Sequence, residues 1–113
     1  MGGADLSVAD LTAAKLRHAN MPSAKLANVK LAHADLSEAN LAHADLKGAD
    51  MPHVNLTHAY LPQAKLNWAN LVGADLADAD LGGTQLAGAL LAKANLRQTV
   101  LRGATALRRS VPS

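Results

Sequence analysis

Leucine or methionine recurs at every fifth position from Leu6 to Leu101 without a break. The run holds 20 such positions, 18 of them Leu and two Met (Met21 and Met51). Two residues before each one the side chain is small: Ala at 16 of the 20, and Val29, Val54, Thr84 and Thr99 at the rest. The residue between the small one and the Leu is Asp or Asn in 12 of the 20 repeats. The remaining two positions of each repeat vary freely. A period this strict governs the whole fold, because whatever one repeat does its neighbours must do as well.

An α-helix does not accommodate the pattern. Each helical residue turns about 100°, so a five-residue step rotates the Leu mark by about 140° and spreads it over every face. An ordinary sheet fails too. Small-X-Leu puts two side chains on one face of an extended segment, but the next inward residue follows three positions later instead of two. A bend during the variable positions restores the alternation. Each repeat then becomes one short side, with two residues facing in and three facing out. A chain that bends the same way after every side winds into a solenoid.

The outward residues fix the number of sides. With four sides per coil, stacked residues differ by 20, at about 4.8 Å per coil. The position before Leu then reads Asp5, Lys25, Asp45, Lys65, Gln85 down one side. The next two sides read Asp10, Lys30, Asp50, Asn70 and Lys15, Asp35, Asn55, Asp75, Asn95. Opposite charges alternate and no like charges stack, which a parallel ladder favours by about 0.2–1 kcal/mol per pair. Three sides per coil would place Asp35 directly on Asp50.

The runs Ala-Asp-Leu-Ser, Ala-Asn-Leu-Ala and Ala-Asp-Leu-Lys resemble the pentapeptide-repeat family, whose motif is a small residue, Asp or Asn, Leu or Phe, and two variable positions. The resemblance covers residues 4–104. It implies an all-β fold, a right-handed quadrilateral parallel β-helix of about five coils. Residues 105–113 break the register and are expected to form a C-terminal cap or tail, with Leu107 or Val111 over the last core layer. The start at Met1 falls almost on the first repeat, so that end is expected to pair with another copy, or to continue into or dock on something else.

Composition narrows the function. Half the chain is apolar, with no Phe, one Trp and one Tyr, so the interior must be built from Leu and Ala. A net charge of +2 suits neither a polyanion mimic nor a protein that wraps nucleic acid. The absence of Cys excludes disulfides, thiolate nucleophiles and zinc-thiolate sites. No apolar run approaches the roughly 18 residues of a membrane span. Met1-Gly2-Gly3-Ala4-Asp5 has neither the flank of a signal peptide nor, with Leu6 at the sixth position, a myristoylation pattern. The expectation is a cytoplasmic protein without a membrane or nucleic-acid partner.

Three surface features carry what chemistry there is. His18, His33, His43, His53 and His58 all stand two residues after a Leu. A 20-residue coil stacks His33 with His53, and His18 and His58 with Glu38 and Asp78. Imidazole and carboxylate are metal ligands, but a free surface position also tolerates His, and no metal or cofactor is expected. Tyr60, Trp68, Val72, Leu90 and Val100 are outward apolar residues on a polar surface. Trp68 is expected over Gly88, with Val72 and Leu90 around the corner, either as a partner contact or as a cover for the bare glycine. After Asp80 the charges are all basic: Lys93, Arg97, Arg102, Arg108 and Arg109.

A Leu- and Ala-filled rod is expected to have flat outer sides and no catalytic cleft, so an enzyme is not expected. The preferred function is a structural or protein-interaction scaffold. Trp68, Val72 and Leu90 are the candidate contact residues, and the partner is another protein or a second copy, met through this surface or an end. The alternative implied by the family is DNA gyrase binding or protection through a DNA-like shape. Eleven basic against nine acidic residues work against it.

Overall fold

Every parallel β-bridge among the described residues joins positions 20 apart, from Asp5 with Lys25 to Gln85 with Thr105. The computed structural model describes residues 3–105; from residue 106 onward the expected cap, with Leu107 and Val111, lies outside the described residues. Four repeats therefore make one coil. Side 1 carries Asp5, Lys25, Asp45, Lys65, Gln85 and Thr105. Side 2 carries Asp10, Lys30, Asp50, Asn70 and Leu90, and side 3 carries Lys15, Asp35, Asn55, Asp75 and Asn95. Side 4 carries Asn20, Asn40, Tyr60, Asp80 and Val100. Coils 1 to 5 are residues 3–22, 23–42, 43–62, 63–82 and 83–102. Each side is a ladder of single bridges, one residue wide, so the described residues form no extended strand.

The turns explain the five-residue unit. In each repeat the residue after the Leu and the one beyond it form a corner, closed by a bond such as Ala9 N–H to Leu6 C=O at 3.1 Å. The second corner residue has φ between 57° and 74° in every repeat. A positive φ at that place alone is the signature of a type II turn. Glycine takes it freely at Gly48, Gly73, Gly83, Gly88 and Gly103, yet 15 of these positions hold a side chain. All five histidines are among them, with φ of 58–63°. His, Asn and Asp are the side chains that enter this region most readily, so the turn itself accounts for the histidines' shared position. The first corner residue suits proline, and Pro22, Pro52 and Pro62 all stand there.

Following the backbone N–H groups shows what Asp and Asn contribute. In the repeat that begins at Ala24, Lys25 N–H donates back to Ala4 C=O at 2.7 Å and Leu26 N–H forward to Asp45 C=O at 2.7 Å. Asn28 N–H donates to Lys47 C=O at 2.9 Å, and Val29 N–H closes the turn onto Leu26 C=O at 3.1 Å. Only the N–H of the first corner residue is left over. An Asp or Asn two residues earlier accepts it: Ser7 to Asp5, Thr12 to Asp10, Ser37 to Asp35 and Ala42 to Asn40, all at 3.0–3.1 Å. Asp45, Asn55, Asn70, Asp75, Asp80 and Asn95 do the same. The two exceptions, Asn20 and Asp50, precede Pro22 and Pro52, which have no N–H to donate. Asp50 Oδ1 instead accepts Asn70 Nδ2 at 3.3 Å.

This corrects the charge-stacking picture in part. The columns stack as expected, but the carboxylates point at their own turns. Among the described residues the stacked Asp and Lys of sides 1 to 3 form no ion pair within 4 Å, and the close pairs are Arg17–Glu38, His18–Glu38 and His58–Asp78. Hydrogen bonds, more than the neighbouring basic side chains, hold Asp5, Asp10 and Asp35 below the ordinary carboxylate range. For Asp5 the first cause is the Ser7 N–H; for Asp10 and Asp35 it is the hydroxyl of Thr12 and Ser37. A group whose folded-state pKa lies below its unfolded value adds stability that is complete above the unfolded value, about 3.9 for aspartate. That stability is lost as pH falls through the lowered folded value. Asp35→Asn keeps the acceptor and removes the titration, so it is expected to shrink the drop in melting temperature between neutral and acid pH. An unchanged pH profile would remove Asp35 as a source of the acid sensitivity.

The core is a stack of Leu layers. From Met21 to Leu91 every inward Leu or Met is at most 4% exposed, with the inward Ala residues buried between them. Thr84, fully buried, donates its hydroxyl to Leu81 C=O at 2.9 Å, and Thr99 donates to Leu76 C=O at 2.8 Å. These bonds let two hydroxyls replace alanine at inward positions without loss. Leu6, Leu11 and Leu16 in coil 1 are only half-buried.

Candidate functional site: the low-charge side around Trp68

At the corners that border side 2 the farther residues include Lys47, His33, His53 and Lys93, but the residues nearer side 2 carry no charge at any level. Toward side 1 the column is Val8, Asn28, Gly48, Trp68 and Gly88; toward side 3 it is Thr12, Ala32, Pro52, Val72 and Ala92. Only Asp10, Lys30 and Asp50 on the centre line are charged, and in coils 4 and 5 the centre line is Asn70 and Leu90. Counted together with their flanking columns, sides 1, 3 and 4 each carry more charges. Side 2 also holds the two most exposed large apolar residues, Val8 and Trp68, both 72% exposed, and Leu90.

Trp68 lies over Gly88, as expected. A Cβ added to Gly88 would run into the indole at Cε3, Cζ3 and Cδ2. The same lean along the rod recurs at other corners: Asn28 lies over Gly48 and His53 over Gly73. Gly88 thus gives the indole a flat bed of backbone while its outer face stays open. Leu90 follows two residues later at the same level, and Val72, half-buried, closes the far border. Tyr60 and Val100 are exposed as expected but sit on side 4, at the opposite side of the rod, and do not join this cluster. Val8 was missing from the expected contacts. Its place in the Trp68 column follows from the 20-residue spacing, but a valine near the chain start carries little signal alone.

The histidines lie outside this surface: His33 and His53 are the farther residues of the corners that Ala32 and Pro52 begin, and His18, His43 and His58 stand on other corners. His33 and His53 stack ring on ring, with centroids 5.1 Å apart and planes 12° apart. Imidazole lone pairs lie in the ring plane, so parallel rings face each other with π surfaces and not with nitrogens. His18 Nδ1 lies 3.7 Å from Glu38, and His58 Nε2 lies 3.7 Å from Asp78. Among the described residues no three His, Cys, Asp or Glu side chains converge on a point where an ion could sit.

The basic residues after Asp80 also fail to form one patch. Lys93, Arg97 and Arg102 occupy three different corners of coil 5, and Arg108 and Arg109 lie outside the described residues. The outer surface is not uniformly flat. Where Gly82, Gly83 and Gly103 leave the corner between sides 4 and 1 bare, a shallow groove opens, lined also by Pro62, Gln63, Asp80, Val100 and Arg102. Asp80 Oδ1 is occupied by Gly82 N–H at 2.9 Å, and the lining holds no nucleophile beside a base. No helix of the described residues is long and apolar enough to cross a membrane.

Comparison with known proteins agrees with this architecture. The family model for pentapeptide repeats matches 8 copies, at residues 1–26, 23–57, 53–84 and 79–106. The crystal structure of a pentapeptide repeat protein (Rfr23) from the cyanobacterium Cyanothece 51142 is similar at a TM-score of 0.89 and 27% identity, over 99% of this chain and 90% of that one. HetL, a pentapeptide repeat protein involved in heterocyst differentiation regulation from Nostoc sp. strain PCC 7120, is 31% identical at a TM-score of 0.41, over 90% of this chain and 59% of its own. QnrB1, a plasmid-mediated fluoroquinolone resistance protein, is 19% identical at a TM-score of 0.42, over 96% of this chain and 65% of its own. The comparison with curated protein sequences gave no match.

Proposed function

The chain belongs to the pentapeptide-repeat family, and on that premise we propose that it is a non-enzymatic interaction rod, wound as a right-handed four-sided β-helix, that binds another protein through side 2. The observation that carries this reading is the exposed Trp68, laid flat on Gly88 beside Val72 and Leu90, on a side flanked directly by two columns without charge. An exposed apolar cluster on an otherwise polar surface marks a contact, and tryptophan is the side chain most often found at the energetic centre of one. The rigid bed matters as well, because a side chain already held in place loses little freedom on binding.

Two variants separate contact from cover. Trp68→Ala is expected to leave the fold intact and abolish partner binding or self-association. Gly88→Ala keeps the indole but places a methyl where it lies, and adds strain at a φ of +73°. It is expected to dislodge Trp68, seen as a red shift of its fluorescence, and to weaken binding in parallel. A Trp68→Ala protein that keeps its solution mass and its partners would leave the indole as no more than a cover for the glycine.

The gyrase reading makes a separate demand. A supercoiling assay titrated with the purified protein is expected to show no inhibition at micromolar concentration, since the rod carries 11 basic and 9 acidic residues. Inhibition there would move the function to gyrase binding.

A further inference from the structure

We propose that side 2 is a self-association surface: two copies pack side 2 against side 2 with their rods antiparallel, centred between coils 3 and 4. This deepens the reading above and rests on it. The choice of a second copy comes first from pitch. Residues on side 2 repeat at the coil spacing of about 4.8 Å, and every column runs straight along the rod. A surface ridged at that spacing stays in register over several coils only with a partner of equal pitch, and a second copy supplies it.

Charge selects the direction. Parallel rods would set Asp10 on Asp10, Lys30 on Lys30 and Asp50 on Asp50. Antiparallel rods centred between coils 3 and 4 set Asp50 opposite Asn70, Lys30 opposite Leu90 and Val72 opposite Pro52. Ala32 then meets Ala92, and no like charges face each other. Trp68 reaches the Gly48 corner, where the side chain of Asn28 lies over the glycine. The amide of Asn70, which already donates to Asp50 within its own chain at 3.3 Å, lies where it continues that bond across the pair. Asp10 and Val8 stay outside the overlap.

Size sets the strength. Four overlapping coils are about 19 Å long, and the rod is 22–23 Å across. Contact of that extent covers on the order of 400 Å² per copy, the range of weak, reversible association and well below an obligate dimer. The expected dimer therefore forms in the micromolar range and dissociates on dilution.

The experiment is sedimentation of the purified protein across concentration, with thiol cross-linking of single-cysteine variants, which the natural lack of Cys makes clean. The mass is expected to double between about 1 and 100 µM. Pro52→Cys is expected to cross-link with a short bismaleimide. Leu90→Cys, offset from its counterpart by about 14 Å along the rod alone in this arrangement, is not. Ala32→Glu is expected to raise the dissociation constant about tenfold or more by setting a charge inside the contact. Ala77→Glu, at the same turn position beyond side 3, leaves it unchanged. Leu90→Cys cross-linking in place of Pro52→Cys would make the rods parallel and overturn the arrangement. A dimer untouched by Ala32→Glu and cross-linked at neither cysteine would move self-association to an end of the rod. A single-chain mass at every concentration overturns the pairing. The broader reading then survives only if Trp68→Ala abolishes binding of some other protein.

Discussion

Leu56→Ala is expected to lower the stability of the rod by about 3 kcal/mol, within the 2–5 kcal/mol typical of removing a buried leucine. Leu56 is fully buried, between Leu36 above and Leu76 below, both also fully buried. Bonds on either side pin the backbone: Leu56 N–H to Asp75 C=O and Leu36 N–H to Asn55 C=O, both 2.8 Å. A coil held above and below cannot collapse into the space, so the cavity remains and the cost stays clear of the lower end of the range. Leu16→Ala removes the same atoms from coil 1, where the side chain is only half-buried, and is expected to cost less than half as much. For a domain of this length the Leu56 loss corresponds to a fall in melting temperature of about 12–24 °C. Equal losses at the two positions would mean that the first coil is as closed as the third.

The same layers were legible in the sequence because burial in a solenoid is set by register alone. Once Leu recurs every five residues and like charges avoid each other at 20, the inward residues and their neighbours along the rod follow without knowledge of any side-chain contact. The stacking of Lys25 on Asp45 and of Trp68 on Gly88 came from that arithmetic. What it could not give was where a side chain points once placed. Asp35 was assigned to a charge column, yet its carboxylate turns back to Ser37. The clue was available in the two Asp or Asn residues that precede a proline by two positions, since Pro22 and Pro52 remove the very N–H that Asn20 and Asp50 would otherwise accept. The histidines were equally ambiguous, because a surface column and a left-handed turn position are the same five residues counted differently. The proposed contact surface was half legible. Trp68 and Leu90 stand out as large outward side chains, whereas the two uncharged columns that flank side 2 emerge only when the corners are read residue by residue along the rod.

Proline at the corners is expected to have opposite effects at adjacent residues. Ala27 is a first corner residue, like Pro22, Pro52 and Pro62, and Lys25 two positions earlier offers no side-chain acceptor. Among the described residues no hydrogen bond uses the Ala27 N–H. Ala27→Pro therefore removes no bond and fixes a φ that this turn position favours. It is expected to stabilise by about 0.4–1 kcal/mol, chiefly by restricting the unfolded chain. Asn28, the next residue, has φ of 58° and donates its N–H to Lys47 C=O at 2.9 Å. Proline there would need its φ moved to about −65°, inverting the turn, and would delete an inter-coil bond. Asn28→Pro is expected to cost about 3 kcal/mol or more, and because each coil is held only by its neighbours the damage should spread to coils 1 and 3. Urea denaturation of the two variants beside the parent measures both effects. Equal destabilisation by the two would show that the corner is not a type II turn, and the account of why proline and Asp or Asn share these repeats would fall with it.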